Sequence, residues 1–443
     1  MSRVLRKRWL SSFIGPSRRD NRGCEYEAYV PDPLVGRSFA FGAPVVSAVV
    51  EAEAAVSRLN AEATSLVNTE SLARILLRAE SVASSRIEGL EVGPRRLLRA
   101  ELERALGEGP SDVTAAEVLG NIEAMAFAVG QVTPGDDLSV GLLLEVHRRL
   151  LEGTRLQAEG GRLRDRQNWI GGSDYNPCNA AFVPPPHELV PGLMEDLVAF
   201  CNEDGLPAVA QAAIAHAQFE TVHPFVDGNG RTGRALVHLV LRRRGTATRA
   251  LPPVSLVLAT WARSYVGGLT ATRYYGPPES PEAVEGANRW VAFFAEACTR
   301  AVDDASGFER RAAGIEEAWR ASLGRVRAGS ATDRLLHALV GAPVLTVGSA
   351  AAMIGRSFEQ TNEAVRRLSE AGVLHQVNVG RRNRAFEAPD IIAAFTDLER
   401  QLASPEGDTR SSEPARPVPR RRQRQPGSAT RNRGPEKPAP PRR

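Results

Sequence analysis

Twelve consecutive residues, His223 to Arg234, read His-Pro-Phe-Val-Asp-Gly-Asn-Gly-Arg-Thr-Gly-Arg. They bring an imidazole, a carboxylate, glycines and two guanidinium groups within a few turns of chain. An imidazole with an ordinary pKa of about 6.5 can take a proton from a hydroxyl near neutral pH. A lone carboxylate at Asp227 suits Mg²⁺, which binds through one or two carboxylates together with substrate phosphates. Gly228 and Gly230 flank Asn229, so the backbone can turn its N–H groups inward as a nest for an anion. Arg231 and Arg234, three positions apart, share one helix face and can reach the same polyphosphate. The chemistry these types can do together is to hold a nucleotide's phosphates and activate a hydroxyl beside them.

Two helices must position that stretch. Pro207 to Val222 is alanine-rich and reads as a helix, and Pro224 disfavours helical geometry at His223, so the helix should stop there. A second helix is predicted from near Thr232 through Leu241, ending at Arg242 to Arg244 and Gly245, with cations and a glycine suited to a C-terminus. The glycine turn then lies at a helix N-terminus, which favours phosphate. Gly228, Gly230 and Gly233 also match the dinucleotide fingerprint G-x-G-x-x-G. That fingerprint requires a preceding strand and a later acid; here a helix precedes, and residues 246–256 contain no acid. No Lys-Ser or Lys-Thr follows the glycines, which excludes a Walker A loop. A purely structural helix-to-helix turn has no need of His, Asp, Asn and two Arg together.

The stretch resembles the signature of the Fic family, H-x-F-x-[DE]-G-N-G-R-x-x-R, at every defined position. The resemblance implies transfer of a nucleotide monophosphate, usually AMP from ATP, onto a hydroxyl of a target protein. It implies His223 as general base and Asp227 as ligand of Mg²⁺ with the α- and β-phosphates. Gly228, Asn229 and Gly230 would form the anion hole, Arg231 would hold the leaving phosphates, and Arg234 the γ-phosphate. Phe225 would be an anchor beneath the loop. Upstream, Ser84-Ser85-Arg86-Ile87-Glu88-Gly89 looks like the family's inhibitory motif, [ST]-x-x-x-E-[GN], closing a helical run that begins near Leu72. By that resemblance Glu88 pairs with Arg234 and blocks the γ-phosphate, with Ser84 and Gly89 completing the motif. A carboxylate competing with phosphate for one guanidinium is physically apt. Without the resemblance, the same letters read as a surface Glu with a Gly cap.

The segment from Gly161-Arg162-Leu163-Arg164 through Gln167-Asn168-Trp169-Ile170 to Phe182 and Pro186 resembles the family's flap, a β-hairpin that aligns the target by strand addition. Leu142, Val146, Leu150 and Leu151 are core-spaced on a preceding helix. His147 and His216 read as packed or surface histidines and not as catalytic ones. Tyr29 to Leu34 resembles the entry of an N-terminal domain. The resemblance covers roughly residues 25 to 300.

The fold class expected is mainly α. An N-terminal helical region (1–110) carries the inhibitory motif, a Fic-type helical core with its flap spans 111–300, and a charged connecting helix spans 301–330. Residues 331–400 read as a winged helix-turn-helix, with helices at Arg334–Val340, Ser349–Ile354 and Ser357–Ala371. Wing strands at Val373-Leu374 and Ala385-Phe386 would be joined through Gly380-Arg381-Arg382. Gln360, Thr361, Asn362, Arg366 and Arg367 form a set able to read a DNA groove, although such modules also dock proteins. Residues 401–443, rich in Pro, Arg, Ser and Gly, are expected to be disordered.

Composition sets the remaining bounds. A chain of 443 residues with 42% hydrophobic content has ample core for two or three domains. No apolar run is read as a membrane span, and no signal peptide is read at the start. Cys24, Cys178, Cys201 and Cys298 are scattered and form no zinc-like pair or disulfide framework, which fits a cytoplasmic protein with reduced thiols. The only lysines are Lys7 and Lys437, so arginine clusters reflect overall composition more than nucleic-acid binding. From Ser404 onward eleven basic residues face four acidic ones, which accounts for the whole net charge of +4.

The function expected is protein adenylylation on Ser, Thr or Tyr with ATP and Mg²⁺, autoinhibited in cis by Glu88. The alternatives are a nucleotide-sensing DNA-binding regulator, removal of AMP by a Glu88-activated water, and a different nucleotide donor. ATP and an unidentified target protein are the expected partners. DNA at the winged helix and a homo-oligomer are left open.

Overall fold

The computed structural model describes residues 1–11, 15–62, 69–105, 109–379 and 383–402. The chain is mainly helical. It opens with a two-stranded antiparallel hairpin, β1 (Arg3–Trp9) and β2 (Cys24–Val30), in register from Arg3 opposite Val30 to Trp9 opposite Cys24. The expectation of a helical start is corrected there: β2 reads Cys-Glu-Tyr-Glu-Ala-Tyr-Val, an alternation that suits a strand. Four helices follow: α1 (Ala43–Glu62), α2 (Thr69–Ile87), α3 (Pro94–Ala105) and α4 (Val113–Gly130). The next are α5 (Val140–Leu150), α6 (Val190–Cys201), α7 (Ala208–Val222), α8 (Asn229–Arg243), α9 (Val254–Thr260) and α10 (Ala262–Ala271). Helix α11 (Pro281–Leu323) runs 43 residues, so the expected boundary at residue 300 falls inside one continuous helix. Its core face, including Trp290, Phe294, Ala301, Ala305, Phe308 and Trp319, is buried from end to end, which carries the helix across that position.

Beyond it lie α12 (Ala331–Gly341), β3 (Val344–Leu345), α13 (Val347–Ile354), α14 (Phe358–Glu370), β4 (His375–Val379), β5 (Asn383–Glu387) and α15 (Pro389–Leu402). The three strands are ordered β3-β5-β4, all antiparallel. The turn expected at Gly380-Arg381-Arg382 and the tail from residue 403 lie outside the described residues. Thr361, assigned to a groove-reading face, is fully buried. Arg367 donates to the carbonyls of Leu323 and Arg325, and Arg366 pairs with Glu363 and Glu370. The exposed side of α14 therefore presents Glu359, Glu363 and Glu370 beside Arg366, a mixed face and not a basic one.

Helices α7 and α8 are the centre of the molecule. Every residue of α7 is buried, and so is every residue of α8 except Arg242. A helix buried all round must lie inside the core. The alanines of α7 and Gly233 of α8 let the two approach closely. A Cβ at Gly233 would lie 2.7 Å from Glu220 Oε1 and 2.9 Å from Phe219 Cδ1. Gly233→Ala is expected to cost about 1–3 kcal/mol of stability through overpacking; denaturant unfolding measures it, and an unchanged midpoint would contradict the close contact.

Helix α2 is fixed along its length. At its start Ser71 Oγ donates to the carbonyl of His337 on α12 (3.0 Å), and a Cβ at Gly341 would collide with Ser71. Midway, the buried Glu80 accepts from the backbone N–H of Ser255 (2.8 Å) and lies 3.0 Å from His238 Nε2 of α8. Asn121 of α4 donates to the Ser81 carbonyl (2.8 Å) and to Ser85 Oγ (3.1 Å). Helix α4 is long and apolar enough by composition to cross a membrane. Here it packs on α2, α3, α5 and α8, with Val118, Leu119, Ala124 and Met125 buried.

Cys24 and Cys178 form a disulfide with their Cα atoms 5.7 Å apart, tying β2 to the loop beside the site. The expectation of four reduced thiols is thus corrected. The pair is separated by 154 residues and is brought together only by the fold, while Cys201 and Cys298 are free and buried.

Candidate active site

The chain leaves α7 at His223 with φ of 48°, the only non-glycine residue in the left-handed region among those described. This is where Pro224 had placed the helix end. Helix α8 begins at Asn229, three residues before the expected Thr232, because Gly228 (φ 76°) serves as its N-cap. Asn229 and Gly230 thus lie in the first helical turn, whose N–H groups lack intrahelical partners. The Asn229 side chain closes the loop: its Nδ2 donates to the Phe225 carbonyl (2.9 Å), and its Oδ1 accepts from the Phe225 N–H (2.8 Å). Phe225 is wholly buried, as an anchor should be.

Arg234 is 2% exposed. Its Nε donates to Ser84 Oγ (2.8 Å), and its Nη2 to the Ser84 carbonyl (2.8 Å) and to Glu88 Oε1 (2.7 Å). A Cβ at Gly230 would collide with Glu88 Oε1. The Glu88 carboxylate therefore lies directly over the first turn of α8. Gly89 takes φ of 82° directly after it and ends the helical approach. Burial opposes ionisation of Glu88, but Arg234, with Arg231 and His223 behind it, outweighs that and holds the carboxyl below its ordinary range. Arg231 is 4% exposed; its Nε and Nη1 have no hydrogen-bond partner, and its Nη2 lies 3.4 Å from Asp227 Oδ2. Buried guanidinium donors without a partner are rare, and these two are available to an anion.

The Asp227 carboxylate is half exposed. Among the described residues no three His, Cys, Asp or Glu side chains gather as a metal cluster. A single open carboxylate beside a phosphate cradle is what Mg²⁺ held mainly by phosphates requires, so the residues present fit that ion.

The His223 imidazole is pushed down to about 4, chiefly by burial and then by the Arg164 guanidinium. It is consequently uncharged at neutral pH, where an ordinary imidazole would be about a quarter protonated. Glu220 Oε2 is 3.8 Å from His223 Nδ1, and burial pushes that carboxyl up to about 7.

Several groups frame the loop through contacts that the sequence does not reveal. His147 stacks on Phe225 at 3.7 Å between ring centroids. Its Nδ1 accepts from the Gly161 N–H (3.1 Å), which leaves Nε2–H to donate to the Asp227 carbonyl (3.0 Å). Burial lowers this ring to about 4. His147 is packed, as expected, but it also fixes the backbone of the metal-binding candidate. His216, lowered to about 3 by burial, bonds the Tyr265 hydroxyl through Nε2 at 2.8 Å. Asn168 donates to the carbonyls of His223 (3.2 Å) and Phe225 (2.9 Å). The flap is not a laddered hairpin. A single antiparallel bridge joins Ile170 and Phe182, and Tyr29 N–H donates to the Val183 carbonyl (3.0 Å). Pro184, Pro185 and Pro186 lack the N–H groups a longer ladder would need.

Residues 137–241 match the Fic/DOC family and residues 46–130 its N-terminal region. Those two segments thus carry the likeness to a Fic domain and to the Fic N-terminal region. The protein adenylyltransferase fic-1 of Caenorhabditis elegans is 37% identical over 133 residues, 29% of this chain and 23% of that protein. The protein adenylyltransferase Fic of Drosophila melanogaster is 35% identical over 141 residues, 31% of this chain and 26% of that protein. The chain thus spans about a quarter of the length of these curated relatives. Among solved structures, a Fic family protein from Desulfovibrio desulfuricans G20 aligns with a TM-score of 0.49 at 21% identity, covering 79% of this chain and 97% of that one.

Proposed function

We propose that this chain transfers AMP from ATP to a hydroxyl of a protein, and that Glu88 inhibits the reaction in cis. The observation that carries the reading is the Glu88 carboxylate lying on Arg234 and over Gly230, with the unpartnered donors of Arg231 on the same helix turn. With Glu88 withdrawn, Arg234 would take the γ-phosphate and Arg231 the phosphates of the leaving group. The first-turn N–H groups of α8 would receive the α-phosphate oxygens. His223 Nε2 would take the proton of the incoming Ser, Thr or Tyr hydroxyl as its oxygen bonds the α-phosphorus and pyrophosphate departs on the far side. Most of the rate would come from positioning and charge stabilisation. Asp227 would hold Mg²⁺, which neutralises phosphate charge when bound.

The test is incubation of the full chain with Mg²⁺ and ATP labelled at the α-phosphate, with label on protein scored by gel. Asp227→Asn should weaken the dependence on Mg²⁺ and lower transfer by about 10²-fold or more, a loss like that of one preorganised electrostatic group. Full activity in that variant would remove Asp227 from the metal site. The 37% identity over 133 residues to a protein named an adenylyltransferase supports the same reading.

A further inference from the structure

Arg164, in the first arm of the flap, is 3% exposed; Glu188 is the carboxylate whose charge bears on it, without a hydrogen bond between them among the described residues. All its contacts are carbonyls. Its Nε donates to His223 O (2.9 Å), its Nη2 to Val222 O (3.3 Å) and Pro185 O (2.5 Å), and its Nη1 to Arg166 O (3.1 Å). Its own backbone N–H donates to Pro224 O (2.9 Å). One residue thus binds the carbonyls of Val222, His223 and Pro224 in succession and joins them to the second arm of the flap.

Two physical needs converge there. The last carbonyls of a helix have no intrahelical donors and attract a cation. The left-handed backbone of His223 is costly for a residue with a Cβ and persists only where its surroundings enforce it. We propose that Arg164 is a positioning residue of this site: its guanidinium locks the backbone of His223 and sets a positive charge against the base. The proposal rests on the reading of His223 as the base.

The charge bears on the ring as well as the backbone. Burial lowers Arg164 itself to about 10, so it stays charged at neutral pH. Around His223 stand Arg164 of the flap and Arg273 after α10, which disfavour a charged ring, and Glu88 of α2 and the Glu220 backbone of α7, which favour it, with the Glu220 carboxyl itself 3.8 Å from Nδ1. Arg164 is the largest of these after burial. Without it the imidazole should acquire a proton at higher pH and lose its strained placement.

The experiment uses the full chain in the Glu88→Gly background with Arg164→Lys, Arg164→Gln and Arg164→Met. Each is read by label transfer across pH and by NMR titration of ¹³C-labelled histidine, with the His223 signal assigned by its loss in His223→Ala. In Arg164→Met and Arg164→Gln, kcat should fall about ten- to a hundredfold, the cost of a misplaced reacting group, with KM for ATP unchanged. The His223 inflection should rise by about one pH unit. Arg164→Lys should keep the inflection near its original position while losing part of kcat. Arg164→Gln retains a donor and serves if Arg164→Met does not fold. An inflection that stays put in the folded neutral variant overturns the proposal, as does a loss in KM alone. The titration needs no transfer, so absence of label in every protein would count against the adenylylation reading while the ring still decides the role of Arg164.

Discussion

Glu88→Gly should raise AMP incorporation about tenfold over wild type. The substitution removes one charge-assisted hydrogen bond to Arg234, at 2.7 Å, of a kind that contributes about 1.5–3 kcal/mol. Each 1.4 kcal/mol is about a factor of ten in a population. The carboxylate is 38% exposed, so solvent screening favours the lower end of that range. Glycine also vacates the space over Gly230 that a phosphate oxygen would enter. The measurement is label from α-labelled ATP in wild type and variant under identical Mg²⁺; equal incorporation would refute inhibition by Glu88. Acidity should not substitute for the mutation near neutral pH. The folded state holds Glu88 below its ordinary range, so the contact is fully present above the ordinary carboxylate pKa. It is lost only as pH falls through the depressed value.

In that same background, His223→Ala should lower transfer by about 10²–10⁴-fold, the range for loss of a general base, while ATP binding by calorimetry stays close to its former value. The phosphate contacts come from α8 and its first turn, and alanine leaves them in place. The uncharged state of His223, with a pKa near 4, adds a second readout. Transfer by Glu88→Gly should hold its rate well below pH 6.5, where an ordinary imidazole would already be protonated. Retained transfer in the double variant would remove His223 from the chemistry. No label in either protein, with ATP still bound, would favour a nucleotide sensor, which has no need of a base.

The sequence made the site legible because its chemistry is local. His223, Asp227, Arg231 and Arg234 sit within one helix-turn-helix passage, and Pro224 and Gly228 mark its breaks. The pairing of Glu88 with Arg234 bridges 146 positions and was reachable only through the resemblance of its motif. What stayed hidden depends on tertiary proximity. Nothing in the letters around Arg164 says that its guanidinium turns inward to carbonyls. The same holds for His147, whose two ring nitrogens find the Gly161 N–H and the Asp227 carbonyl only once α5 is packed against the loop. The pairing of Cys24 with Cys178 was invisible for the same reason. Among the helices, α11 was cut too early because a rise in surface charge past Ala301 looks like a boundary, although its apolar stripe continues without a break. The flap lost its ladder to its own prolines.

The anchoring of α2 has a mechanical consequence. A rod held at Ser71 by the C-terminal unit, at Glu80 by α8 and α9, and at Ser81 and Ser85 by α4 has no freedom to swing or slide as a whole without breaking several buried bonds at once. If Glu88 inhibits as proposed, its release from Arg234 must work on the tip: rotation of the Glu88 side chain, or unwinding of the one turn between Ser84 and Gly89. On the proposal that Glu88 inhibits, the helix is the door frame and the glutamate the latch, and a partner gripping the C-terminal unit would be pulling on the frame.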